Sequence, residues 1–193
     1  MENLLTIAIG AILVNNIVLT RFLGLCPFFG VSTRLRNASM MGFAVIFVMT
    51  ASSIITWAIY QYLLIPLNME YMRLVVFILV IASFVQLTAI FVRKHSQRLH
   101  RAFGIYLPLI TTNCAILAVV LINTMVKEYS LLETIVNSVA TGVGFLLALV
   151  LMAGIRERLD LADPPGAFRG LPIAFVSAAL LALAFQGFGG MLL

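Results

Sequence analysis

Charge is scarce in this sequence. Charged residues make up 10% of its 193 positions, against roughly a quarter in a typical soluble domain. The polar surface that a water-soluble fold requires is missing with them. Apolar residues account for 63% of the chain and the mean hydropathy is +1.13. A chain this small has too high a surface-to-volume ratio to hide so much apolar area from water, so lipid is its solvent. No glycine-rich nucleotide fingerprint and no catalytic triad is present, which argues against an enzyme acting alone on a soluble substrate. The two histidines, His95 and His100, lie in a basic stretch, leaving none at membrane depth. No linker, low-complexity tail or block of polar sequence remains for an extramembrane domain. The short alternating segments of a membrane β-barrel are absent as well. The N-terminus lacks a basic region and a cleavage motif, so it reads as a retained helix rather than a signal peptide.

What the sequence does have is apolar runs. A bilayer core about 30 Å thick takes roughly 20 residues of helix, and six stretches qualify: 3–33, 40–66, 73–92, 103–126, 132–155 and 171–192. They must be helical, because lipid offers no partners to unpaired backbone groups. The expected fold is therefore an all-α polytopic membrane protein, residues 1–193 forming a single transmembrane domain.

Basic residues orient it. The first, third and fifth connections carry Arg34 and Arg36, then Arg93, Lys94, Arg98 and Arg101, then Arg156, Arg158 and Arg169; the second and fourth carry only Arg73 and Lys127. The positive-inside bias puts the odd connections in the cytoplasm and both termini on the far, periplasmic side. It also accounts for the net charge of +5: these charges flank membrane spans, and there is no module to bind nucleic acid.

The two halves are similar. IVLTRFLGLCPFFG around Cys26 and IYLPLITTNCAILAV around Cys114 align so that Ile17 matches Ile105 and Leu19 matches Leu107. With three spans in each half, a second copy enters the membrane from the opposite side. That is an inverted-repeat plan, with repeats at about 3–92 and 103–192, in which functional sites sit near the midplane on broken helices. The breakers are present: Gly24, Pro27 and Gly30 surround Cys26, and Pro108 precedes Cys114. As one straight helix the first stretch would run about 46 Å, so it must tilt, bend or break. Asn15, Asn16 and Arg21 lie inside it, and such polar groups face protein or water rather than lipid.

Cys26 and Cys114 are the only cysteines. Counted at 1.5 Å per residue, they lie about 12 Å from Arg34 and about 20 Å from Arg101, so both fall near the membrane centre, one from each half. Three roles are open to them. Free cysteine packs as a small hydrophobe. A disulfide is possible, although the bilayer centre is a poor place for oxidation. Metal ligation needs thiolates, which soft metal centres select, and a four-ligand site would have to be completed by another chain.

FLGLCPFFGVS after NNIVL, together with LPLITTNCA, IRERL, AFRG and the closing LAFQGFGG, resembles the A-type subunits of Rnf electron-transport complexes, relatives of a membrane subunit of the sodium-pumping NADH:quinone oxidoreductase. The resemblance spans the chain. It implies a subunit that is not catalytic by itself but belongs to a redox-driven translocase of the bacterial inner membrane. Such a complex passes electrons between ferredoxin and NAD and couples them to Na⁺ or H⁺ movement. It further implies an iron–sulfur cluster, [2Fe–2S], held by Cys26 and Cys114 with two cysteines of a homologous, E-type membrane subunit. Flavins, further clusters and the NAD site would lie on other members of the Rnf complex. Gly24, Pro27, Thr112 and Asn113 become candidates for tuning that cluster. A competing class is a secondary transporter or ion channel without a redox centre, since broken inverted repeats occur there too. The absence of any Asp or Glu in the middle of a span counts against a proton transporter and leaves carbonyls and amides, such as those of Asn15 and Asn113, as possible ion ligands.

Overall fold

The computed structural model describes residues 4–66, 70–95, 109–110, 112–126, 129–162, 165–166 and 169–187. The described residues are almost entirely helical, with no strand among them. In chain order the helices are α1 (Leu4–Ile9), α2 (Leu25–Val31), α3 (Leu35–Ile59), α4 (Arg73–His95), α5 (Cys114–Leu121), α6 (Leu131–Leu161) and α7 (Leu171–Gln186). A wider π-helical turn extends α1 to Val14, α3 to Leu64 and α5 to Val126.

Two continuous helices, Leu35–Leu64 and Leu131–Leu161, are long and apolar enough to cross a membrane; Leu4–Val14, Arg73–Thr88, Cys114–Thr124 and Leu171–Gln186 are shorter apolar stretches beside them. The first expected span, too long for one rod, is broken: helix stops at Val14 and resumes at Leu25. The fourth resumes at Cys114 after a non-helical Thr112 and Asn113. Pro108 and Arg101 lie outside the described residues, as do residues 188–193.

The helices are apolar on their exposed faces as well as on their buried ones. On α3 the buried stripe is Ala38, Met41, Gly42, Val45, Val48, Met49, Ser52, Ser53 and Thr56, a spacing of three and four that keeps one face inward. Phe43 and Phe47 point outward, 66% and 60% exposed. α6 buries Thr134, Asn137, Ser138 and Thr141 together with Gly142, Phe145 and Leu149, while α7 leaves Leu180 and Leu183 exposed. Small and polar residues join large apolar ones such as Phe145 and Met152 inside, and large apolar side chains also cover the outside; lipid favours this, since tails compete with leucine but not with a hydrogen bond.

α3 and α6 run antiparallel at the centre of the fold, and two glycines let them approach. A β-carbon on Gly42 would collide with Leu146, and one on Gly142 would lie 2.9 Å from Cγ1 and 3.1 Å from Cα of Ile46. α6 begins with a capping box in which Ser130 and Glu133 satisfy each other's end of the helix. It runs six residues past the expected end at 155. Arg156, Glu157 and Arg158 therefore belong to helix rather than to a loop. Glu157 accepts a hydrogen bond from the Leu35 amide at 2.9 Å, placing a carboxylate on the N-terminus of α3, where the helix dipole favours it.

Candidate functional site

The interruption in the first span is organised by Asn16, which is fully buried. Its Nδ2 donates to the carbonyls of Ile12 at 3.1 Å and Gly144 at 2.8 Å. Its Oδ1 accepts from the amides of Val18 and Leu19 at 3.1 and 3.3 Å, and its carbonyl accepts from the Thr20 hydroxyl. An unwound segment in lipid exposes backbone groups that cost several kcal/mol each if unpaired. One side chain thus satisfies three of them, at Ile12, Val18 and Leu19, and through Gly144 ties the break to α6. Asn15, its neighbour, is exposed and lines a cavity with Arg21.

The chain re-enters helix through Phe22, in left-handed conformation at φ 54°, and Gly24, at φ 78°. Gly24 is the N-cap of α2 and fits a crowded place: a β-carbon there would stand 2.7 Å from Cε2 of Phe145, 3.1 Å from Oδ1 of Asn113 and 3.2 Å from Cβ of Ala115. Its amide donates to Sγ of Cys114 at 2.9 Å. Cys26 follows two residues later in the first turn of α2, with Pro27 beside it, where the missing proline donor is one the helix would not have used. At the other end of α2, Arg156 donates to the Phe29 carbonyl at 2.8 Å and to Ser32 at 3.1 Å.

The second break mirrors the first in role. Asn113 caps α5 through Oδ1, which accepts from the Ala115 amide at 3.0 Å; its Nδ2 is buried and unpartnered. Cys114 is the first residue of α5. Both cysteines are free and exposed on the surface of the chain, which contradicts the simple packing role, since a packing cysteine is buried. The structure thus brings together Gly24, Asn113 and Cys114 directly, with Cys26 and Pro27 one turn away. Thr112 is exposed beside them. Gly30 is different: only Leu109 lies within 4 Å of a β-carbon there, at 3.5 Å, so crowding does not require a glycine. Phe28 is in the core, Phe29 stacks on Phe175 at 4.3 Å, and Phe22 is 55% exposed rather than packed. Among the described residues no group of three or more His, Cys, Asp or Glu is gathered that could hold a metal ion.

A second polar cluster went unnoticed in the sequence. Asn137 of α6 donates through Nδ2 to Oδ1 of Asn123 at 2.6 Å, and Asn123 donates to the Ser138 hydroxyl at 3.1 Å. The signal available was two asparagines fourteen residues apart on either side of the connection between apolar spans.

A helical chain that is apolar on its outer faces as well as in its core, with small and polar residues among the buried ones, has the make-up of a membrane protein; its two cysteines stand at helix breaks. The family described as Rnf-Nqr subunit, membrane protein, matches residues 4–192. The chain is 52% identical over 191 residues to the A component of an ion-translocating oxidoreductase complex from Syntrophotalea carbinolica, covering 99% of this chain and 98% of the relative. It is 52% identical over 188 residues to the corresponding component of an Na⁺-translocating ferredoxin:NAD⁺ oxidoreductase complex from Acetobacterium woodii (97% of each chain). A proton-translocating counterpart from Clostridium ljungdahlii is 50% identical over 192 residues, covering 100% of this chain and 99% of the relative. The chain belongs to the Rnf-Nqr family of membrane proteins.

Proposed function

We propose that this chain is the A-type membrane subunit of an ion-translocating ferredoxin:NAD oxidoreductase complex, and that Cys26 and Cys114 supply half the ligands of a [2Fe–2S] cluster completed by the homologous E-type component. The observation that carries this reading is the Gly24 amide bonded to Sγ of Cys114 at 2.9 Å, because it sets the helix break just before Cys26 against the break that ends at Cys114. Such a cluster takes four thiolates. The described residues gather no third ligand, and both thiols are open at the surface, as a site shared between two chains requires. The donor set also suits an anionic group, for Asn113 keeps an unpartnered buried Nδ2 next to Cys114.

When bound, the cluster supplies one-electron transfer within the membrane. The chain's own residues position and tune: the Gly24 amide and Asn113 Nδ2 offer hydrogen bonds to sulfur, which stabilise added negative charge and raise a reduction potential. Phe28 and Phe29 exclude water beneath α2. Flavins and the NAD and ferredoxin sites fall to other members of the complex. The coupled ion is Na⁺ or H⁺; relatives of nearly equal identity are named for each.

The six spans form two inverted repeats in this reading. The antiparallel packing of α3 on α6 through a glycine on each, Gly42 against Leu146 and Gly142 against Ile46, is what the second spans of two inverted halves would make. The odd connections face the cytoplasm of a bacterial inner membrane; reporter fusions at Gln97 and Gly166 giving a periplasmic signal would reverse that orientation.

The test of the site is Cys26→Ser and Cys114→Ser in the assembled complex. A hydroxyl is a harder and far less acidic ligand than a thiol. Each single variant should lose the electron paramagnetic resonance signal of the membrane cluster and ferredoxin-to-NAD electron transfer, and the double variant should lose no more, as expected of one shared site. An intact signal in either assembled variant removes these residues from the ligand set.

A further inference from the structure

The Asn123–Asn137 hydrogen bond lies between two cavities. Asn137 lines one of about 280 Å³, which reaches Asn15 and Arg21. Asn123 lines another of about 300 Å³, bounded by Trp57 and Tyr60. Tyr129 borders both, held by its own amide donating to the Asn123 carbonyl at 3.0 Å and its carbonyl accepting from the Trp57 indole at 2.9 Å. Beside Tyr129, the two cavities are linked through the amide-to-amide contact of Asn137 with Asn123 at 2.6 Å.

Around it lie oxygens with nothing to bind. The hydroxyls of Ser52, Ser53 and Thr134 are buried with no hydrogen-bond partner; the three residues are 0%, 1% and 0% exposed. The register that sets residue 42 beside 146 and 46 beside 142 sets 52 and 53 level with 136 and 135. The three hydroxyls therefore fall within a helical turn of Asn137 and Ser138. Leaving a buried hydroxyl unpaired costs about 1–3 kcal/mol, and such groups in native folds call for an unseen partner.

We propose that Asn123, Asn137 and Ser138, with the hydroxyls of Ser52, Ser53 and Thr134, form a carboxylate-free site for a monovalent cation between the two cavities. Amide and hydroxyl oxygens are the hard ligands that alkali cations take in place of water. With no acid among the six, the site lacks the fixed negative charge needed to offset the far larger desolvation of a divalent ion. The positive charge of Arg21, lining the first cavity, opposes a divalent ion twice as strongly as a monovalent one. Opening the Asn123–Asn137 contact would free Asn123 Oδ1 for the ion. The cluster is separate from the cysteine site, and assigning it to ion passage rests on the translocating role proposed above.

The experiment uses the assembled complex in proteoliposomes with Na⁺ as the probe, reading ²²Na⁺ uptake driven by electron transfer and the Na⁺-dependent rise in thermal stability. Asn137→Leu should raise the Na⁺ concentration for half-effect by about tenfold or more, the equivalent of one lost ligand at about 1.4 kcal/mol, and leave the cluster spectrum unchanged. Thr134→Val and Ser53→Ala guard against misfolding, since they delete hydroxyls that bond nothing in the empty protein; each should fold as well as the parent and still weaken the Na⁺ effect. A parent complex whose electron transfer moves protons and shows no Na⁺ effect would refute this site while the translocating role stands; one that moves neither ion would refute that role. A Na⁺-coupled parent with all three variants unaltered would refute this site alone, leaving the cluster as a place for buried water.

Discussion

Gly24 and Phe145 touch so closely that a β-carbon on the glycine would stand 2.7 Å from the ring atom Cε2. The contact holds the re-entry of α2 against α6 and fixes the amide that reaches Cys114. Gly24→Ala would meet both this ring and an unfavourable left-handed backbone at φ 78°, a conformational penalty of about 1–2 kcal/mol for a residue with a β-carbon. The expected outcome is a lower unfolding temperature in detergent and impaired electron transfer. Trimming the ring with Phe145→Leu in the same chain should restore only part of each, because the backbone strain remains. Full activity and stability in Gly24→Ala would show that the close approach is not needed.

Gly42→Ala and Gly142→Ala should destabilise the chain to similar extents, since each inserts a methyl group where α3 and α6 are in contact. Overpacking of this kind costs about 1–3 kcal/mol. Gly154→Ala is the control: nothing lies within 4 Å of its β-carbon position, and replacing a glycine inside a helix stabilises by about 0.5–1 kcal/mol. Thermal unfolding of the three variants should rank Gly154→Ala above the parent and the other two below it. Sharply unequal losses at Gly42 and Gly142 would weaken the two-fold relation between the halves.

Arg156→Ala should loosen α2 from the end opposite Gly24. The guanidinium holds the Phe29 carbonyl and Ser32, and a charged donor at a helix C-terminus is favoured by the dipole as well. In the chain purified without its partner, the rate of maleimide labelling at Cys26 should rise while that at Cys114 changes little. Equal acceleration of both thiols would mean that Arg156 stabilises the whole fold rather than α2.

The first break was legible because a long apolar stretch contains Asn15, Asn16, Arg21 and three glycines, and no straight helix of that length fits a bilayer. The cysteines stood out because they were alone. The capping box of Ser130 and Glu133 was readable in the sequence but did not set the expected start of α6. What stayed hidden depended on partners far along the chain. Nothing local reveals that Asn16 bonds the Gly144 carbonyl, 128 residues away, or that Arg156 reaches Phe29. The end of α6 was misplaced because hydropathy falls where a helix leaves lipid, whether or not the helix continues. Asn123 and Asn137 were overlooked because a single asparagine in an apolar run carries no sign of which neighbour it faces.

α6 grips the broken segment at two heights: Gly144 at Asn16 and Phe145 at Gly24 near its middle, and Arg156 at Phe29 farther along. The same rod, 31 residues long and so about 46 Å from end to end, carries Asn137 and Ser138 nearer its start. A displacement that tightens or slackens its hold on the thiol end is thereby transmitted to the amide end as a shift of one solid piece, with no relay of intermediate side chains. Thermodynamic linkage makes such a connection run both ways with equal factors. If gaining an electron at one end alters how firmly a cation sits at the other, then the cation must bias the electron's residence by the same ratio.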